Sequence, residues 1–283
     1  MKEKVKGPLI IQTLAELLIK NIDKVPLTDL YLAFPVLKSK HCPNSFQQLI
    51  RSHIIKNHER TRELVNSAVY SVNTLLLLGE DMQSNMVKGL ITWIEKQRLE
   101  DGGWHWRPKN EMLGEAESEV WITLVVYDLL KRSSEDQSYL KSIRGYLCRS
   151  LEKGPNKEVQ GWSRLAYIRT ALCISKDPHL EPLIKKGAQE YVSKAIEELK
   201  DRQLPNGGWA GSEKTKRGGM FQTVLVLDTL VDAGLDFQDN SVKKGFTFVT
   251  QRIDKLLHAK CGGVLIQALS IFADTLLKLG LTE

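Results

Sequence analysis

Residues 115–119 read Glu-Ala-Glu-Ser-Glu, which sets Glu115, Glu117 and Glu119 just ahead of an apolar run that begins Val120-Trp121. Acidic residues at such a place serve the positive end of a helix. They also suit proton donation. Unperturbed Glu titrates near ~4.3 and is a spent carboxylate at neutral pH, but like charges crowded in a dry site raise one of their pKa values. Glu119, supported by Glu117, is the expected acid. A second cluster, Glu213-Lys214-Thr215-Lys216-Arg217, carries the opposite charge. Lys214, Lys216 and Arg217, with Arg107 and Lys109 in support, would receive an anionic head such as a diphosphate or carboxylate. A solvated surface loop is the plain alternative.

Metal chemistry has little to work with. Cys42, Cys148, Cys173 and Cys261 are widely spaced and form no CxxC pair. They read as reduced thiols in a cytoplasmic protein rather than a disulfide frame or zinc site. His258 precedes Cys261, but one Cys and one His make a weak ligand set. No metal and no cofactor are expected. The net charge of +6 suits an anionic ligand or peripheral contact with a membrane surface. The Lys and Arg are scattered without a nucleic-acid motif, so no nucleic-acid partner is expected. With 42% hydrophobic and 26% charged residues the composition is that of a soluble domain. No apolar stretch is long enough to span a bilayer, and Met1 to Lys6 leads into no signal-peptide core.

The elements that would position these groups follow from periodicity, with Pro and Gly falling where it stops. Helices pair as Val87–Arg98 with Glu117–Lys131, Gln137–Leu151 with Trp162–Ser175, Pro182–Asp201 with Gly218–Val231, and Ser241–Leu257 with Gly263–Leu279. Upstream, Ser45–Lys56 pairs with Arg62–Leu78, and Leu9–Ile22 with Leu27–Leu37. The second helix of each pair is the more apolar, which predicts inner helices buried on most sides and outer helices with one wet face. Tyr70, Trp121, Tyr127, Tyr167, Phe221 and Phe272 lie on predicted inner helices, either as ordinary packing or as π faces toward a cavity.

These pairs repeat a pattern. Lys88-Gly89, Gln97 and Asp101-Gly102-Gly103-Trp104 are echoed by Lys194-Ala195, Gln203 and Asn206-Gly207-Gly208-Trp209. Lys244-Gly245 with Gln251 gives a half copy, and Arg144-Gly145 with Gly161-Trp162 a degenerate one. The Gln amide is expected to satisfy free backbone groups at a helix end while packing on the Trp, with the glycines passing close beneath the ring. Trp104 and Trp209 are therefore staples. Thr123, Thr170 and Thr223, and Asn73, Asp128, Asp228 and Asp274, recur on inner helices and are expected to bond to the neighbouring hairpin.

This pattern resembles the QW motif of squalene–hopene and oxidosqualene cyclases, whose fold is shared by protein prenyltransferase β-subunits. The likeness covers about residues 87 to 279 by motif and the N-terminal third only by periodicity. It implies an all-α, α6–α6 toroid, one domain over 1–283, with a double ring of hairpins around a central apolar cavity. It further implies a class II-type, protonation-initiated and non-redox cyclisation of a linear isoprenoid or prenylated aromatic. The family's Asp-x-Asp-Asp acid is missing, and Glu117-Ser118-Glu119 falls near its place. Alternatives are a zinc-dependent prenyltransferase β-like subunit, or a non-catalytic toroid binding a lipid or protein partner. Oligomeric state is left open.

Overall fold

The computed structural model describes residues 7–40, 42–112, 117–134, 136–154, 162–210, 218–257 and 263–281. Among the described residues the fold is all-helical, with twelve α-helices, short 3-10 turns and one isolated bridge between Trp209 and Gly219. The chain divides into two compact units, Ala15–Gly154 and a second formed by Met1–Leu14 with Pro155–Glu283. Helix α1 (Gly7–Asn21) contains the boundary and buries Ile10, Leu14 and Leu18 along one stripe.

In the Ala15–Gly154 unit follow a 3-10 stretch at Leu27–Ala33, α2 (Phe34–Lys38), α3 (Asn44–Lys56), α4 (Val65–Leu77), α5 (Asn85–Lys96), α6 (Val120–Ser133) and α7 (Gln137–Lys153). Helix α4 packs against the Leu27–Ala33 stretch, α2, α5 and α6. It buries Val65, Ala68, Val69, Val72 and Leu75, so it is covered on more than one side. Helix α5 buries Val87, Leu90, Ile91 and Ile94, a single stripe with the spacing of an outer helix. Each such side chain contributes roughly 1.5–3 kcal/mol when fully buried.

Two boundaries differ from the periodicity for identifiable reasons. The helix expected over Arg62–Leu78 begins at Val65, because Leu64 is extended and the Val65 N–H donates to the Trp106 carbonyl at 2.9 Å. The helix expected from Glu117 begins at Val120. Asp101 accepts from both the N–H and the hydroxyl of Ser118, at 3.1 and 2.5 Å, and holds that segment extended.

The second unit carries α8 (Trp162–Lys176), α9 (Pro182–Asp201), α10 (Met220–Asp232), α11 (Asn240–Leu257) and α12 (Gly263–Lys278). Helix α10 packs against α8, α11 and α12 and is buried without a break from Thr223 to Leu230. Its charged residue in that run is Asp228, which accepts from Lys278 Nζ at 2.7 Å, from Thr275 Oγ1 at 3.1 Å and from the Arg169 guanidinium. Asp232 and Asp274 also pair with Lys278, at 2.7 and 3.2 Å. Burial works to depress the Lys278 pKa, but the three carboxylates outweigh it and raise it. Asp232 is pushed upward by burial and by Asp228. Asp228 thus ties α10 to both α8 and α12. In the first unit Arg132 on α6 donates to Asn73 on α4, whereas Asp128 pairs within its own helix, with Lys131 at 2.8 Å.

Candidate functional site

The two Gly-Gly-Trp turns share one geometry. Trp104 Nε1 donates to Ile94 O and Trp209 Nε1 to Leu199 O, both at 2.7 Å. The Trp backbone N–H donates to Thr123 Oγ1 at 2.9 Å in one turn and to Thr223 Oγ1 at 3.0 Å in the other. The Trp carbonyl in turn accepts from Glu119 N at 2.8 Å or Gly219 N at 3.0 Å. Glycine is required at both positions of each pair. Gly102 and Gly207 adopt φ of 97° and 86°. A Cβ on Gly103 would stand 2.6 Å from Ser118, and one on Gly208 2.6 Å from the Phe248 ring.

The Gln residues are not equivalent. Counting back from each Trp, Arg98 occupies the place of Gln203, and Gln97 that of Arg202. Gln203 Nε2 donates to Gly207 O at 2.9 Å, and Arg98 Nε donates to Gly102 O at 3.0 Å. The same count sets Ala195 against Leu90, so Gly89 and Ala195 are not matched positions. Gln97 instead accepts from the Lys109 N–H at 2.9 Å and holds the loop beyond Trp104.

That loop carries the strongest chemical pair. Glu119 is the N-cap of α6, fixed by its N–H on Trp104 O and by its carbonyl, which accepts from Thr123 N at 2.9 Å. His105 Nε2 stands 3.5 Å from Glu119 Oε1, with side-chain exposures of 18% and 32%. The Arg107 N–H donates to His105 Nδ1 at 3.1 Å. A ring nitrogen that accepts carries no proton, so the neutral imidazole has its proton on Nε2, toward Glu119. Sequence reasoning missed His105, although it directly follows the staple Trp.

The other expected site residues distribute as follows. Glu117 is exposed, and Glu115 lies outside the described residues. Trp121 is 37% exposed. Tyr127 is buried, with its hydroxyl accepting from Arg144 at 3.5 Å, and Tyr70 packs on Tyr31 at 5.2 Å between ring centroids. These belong to the Ala15–Gly154 unit. Tyr167, Phe221 and Phe272 belong to the other. Tyr167 and Phe221 are half-buried, while Phe272 is buried against Phe246 at 4.9 Å. Arg107 is exposed and stacks over Trp106 at 4.6 Å. Lys214, Lys216 and Arg217 lie outside the described residues, as do His258 and Cys261.

Thr170 is buried with no hydrogen-bond partner for Oγ1 among the described residues, and it sits further along its helix than Thr123 and Thr223 do along theirs. Among the described residues no group of three or more His, Cys, Asp or Glu is placed to hold a metal ion. No described helix is long and apolar enough to cross a membrane. No protein-family model matches the chain, and no curated protein is significantly similar to it.

Proposed function

We propose that the chain is a class II-type cyclase of a linear isoprenoid or prenylated aromatic, its hairpins closing into an α6–α6 toroid with Glu119 as the proton donor. The observation that carries this reading is the His105–Glu119 pair, pinned beside a staple Trp at the start of an apolar helix. With His105 Nε2 at 3.5 Å from Glu119 Oε1, a protonated Glu119 would take the imidazole N–H on its carbonyl oxygen once substrate closes the site, and leave its own O–H free for a substrate alkene. The alkene π pair forms the new C–H bond, and the resulting cation is closed by the next double bond. Loss of a proton at the far end ends the sequence. One proton enters and one leaves, so no oxidant, reductant or cofactor is consumed. Apolar walls that exclude water protect such a cation, and aromatic faces stabilise it.

The test is a panel of linear isoprenoids and prenylated aromatics, followed by chromatography and mass spectrometry in H2O and D2O. The expected product has the substrate's mass in H2O and gains one deuterium in D2O, and Glu119→Gln abolishes it. Turnover that survives Glu119→Gln sinks the assignment. One observation favours a second reading. Glu119 is about a third exposed, where a carboxylic acid of this kind works dry. In that reading the staples frame a scaffold that holds a lipid or protein partner, and an isoprenoid bound but returned unchanged identifies it.

A further inference from the structure

The replacement of the second Gln staple by Arg98 has a structural companion. In the Met1–Leu14 and Pro155–Glu283 unit, Gln203 Nε2 also donates to Ser241 O at 2.8 Å, and Lys200 pairs with Asp239 at 3.0 Å. Both ties bind the Trp209 turn to the start of α11. Their counterparts in the Ala15–Gly154 unit are Arg98 with Ser138, and Glu95 with Asp136, the latter two both carboxylates. Asp136 and Asp239 each cap the following helix, α7 and α11 respectively. Between the Trp104 turn and α7, where the ties are lost, an open groove of about 520 Å³ appears. It is lined by Arg98, Glu100, Asp101, Ser138, Lys141 and Arg149, with Gly102, Ser142 and Gly145 beneath.

Two guanidinium groups converge in it. Arg98 Nη2 lies 3.2 Å and Arg149 Nη2 4.0 Å from the point where a Cβ on Gly102 would stand. Arg98 is oriented by stacking on Trp104 and Tyr139, at 5.5 and 5.1 Å, and by its bond to Gly102 O. Arg149 donates to the backbone carbonyl of Asp101 at 3.2 Å. Their known partners are rings and carbonyls, not carboxylates. The Asp101 carboxylate is turned into its own turn, where it accepts from Gly103 N at 3.1 Å and from Ser118. Like charges held this close repel when the groove is empty and are stabilised by an anion between them.

We propose that this groove binds a phosphate or diphosphate group, held by Arg98 and Arg149 as planar forks and by Lys141 as a point charge. The site stands independently of the cyclisation reading, because it is defined by the loss of the staple and not by Glu119.

The test titrates inorganic pyrophosphate into the full chain by calorimetry at low and moderate salt. Saturable binding that weakens with salt is expected in the wild type. Arg149→Ala and Arg98→Gln each weaken it about tenfold, the equivalent of about 1.4 kcal/mol. Lys56→Ala, outside the groove, leaves it unchanged. Arg98→Gln restores the residue used in the sister turn, so its melting temperature stays at or above wild type and lost binding cannot be ascribed to unfolding. Absence of pyrophosphate binding overturns the proposal, as does an affinity in Arg98→Gln and Arg149→Ala equal to that of the wild type. None of these readouts requires turnover, so failure here is separable from failure of the cyclase.

Discussion

Replacing Asp228 by Ala tests how α10 is held among its neighbours. The Asp228 side chain is 6% exposed and takes two cations, Lys278 at 2.7 Å and the Arg169 guanidinium. Removing it leaves two partly exposed cations under-compensated, Lys278 at 30% and Arg169 at 36% side-chain exposure, so the cost of about 3–5 kcal/mol for losing one partner of a fully buried pair is an upper range. Asp232 still reaches Lys278 at 2.7 Å and Arg169 at 3.6 Å, which places the expected cost near the lower bound, about 3 kcal/mol. At roughly 2–4 °C per kcal/mol that is a fall in melting temperature of about 6–12 °C. The control is Asp128→Ala. That side chain is 52% exposed and pairs with Lys131 on its own helix. Its loss costs no more than about 0.5 kcal/mol. Differential scanning calorimetry of both variants, with Lys278→Met and the Asp228→Ala/Lys278→Met double mutant completing the cycle, gives the Asp228–Lys278 coupling. The Lys278 pKa is raised on folding, so its contribution is complete below the unfolded value of 10.5 and is lost as pH rises through the higher folded value. An Asp228→Ala cost equal to that of Asp128→Ala would refute the reasoning.

Three further outcomes are expected. Trp104→Phe and Trp209→Phe each remove the indole bond to a helix-end carbonyl and cost about 0.5–1.5 kcal/mol for that bond, since Ile94 O keeps the Gln97 N–H at 3.0 Å, and urea melts should resolve both losses. Gly187→Ala on exposed α9 meets no atom within 4 Å and should raise stability by about 0.5–1 kcal/mol in the same melts. Burial lowers the His53 pKa below 6.5, outweighing the bond to Val25 O. Its neutral form therefore stabilises fully above pH 6.5, and stability falls as pH drops from there through the lower folded pKa, by at most about 1.4 kcal/mol per pH unit. His53→Gln should flatten that acid limb, and an unchanged limb would exclude His53 as its source.

Nearly all of the helical fold was legible in the chain, because amphipathic spacing and Gly or Pro breaks are local signals. Val87, Leu90, Ile91 and Ile94 announce the buried stripe of α5 without any partner being known. The starts of α4 and α6 were not legible, since both are set by bonds to distant residues, Val65 to Trp106 and Ser118 to Asp101. The Trp staples follow from the repeat, whereas Thr123 and Thr223 accept from the Trp of their own hairpin and not from the neighbouring hairpin that their recurrence suggested. The exchange of Gln203 for Arg98 was present in the spacing, one residue longer from Gln97 to Gly102 than from Gln203 to Gly207, but identical residue names concealed it. His105 was hidden for a different reason. Its importance depends on which nitrogen Arg107 engages and on the return of the chain to Glu119, and neither has a sequence signature.

The clasp joining each Trp to the helix that follows has one more consequence. From Trp104 to Thr123 the chain is longer than from Trp209 to Thr223, yet the same two bonds close both spans. Lengthening a closed loop costs little entropy, about 0.6 kcal/mol for each doubling. The span between the two fasteners is thereby free to differ in length, although in the first span Trp106 O still takes the Val65 N–H and sets the start of α4. The fold can accept new segments at that place while its helices keep their register, much as a buckle admits straps of different cut.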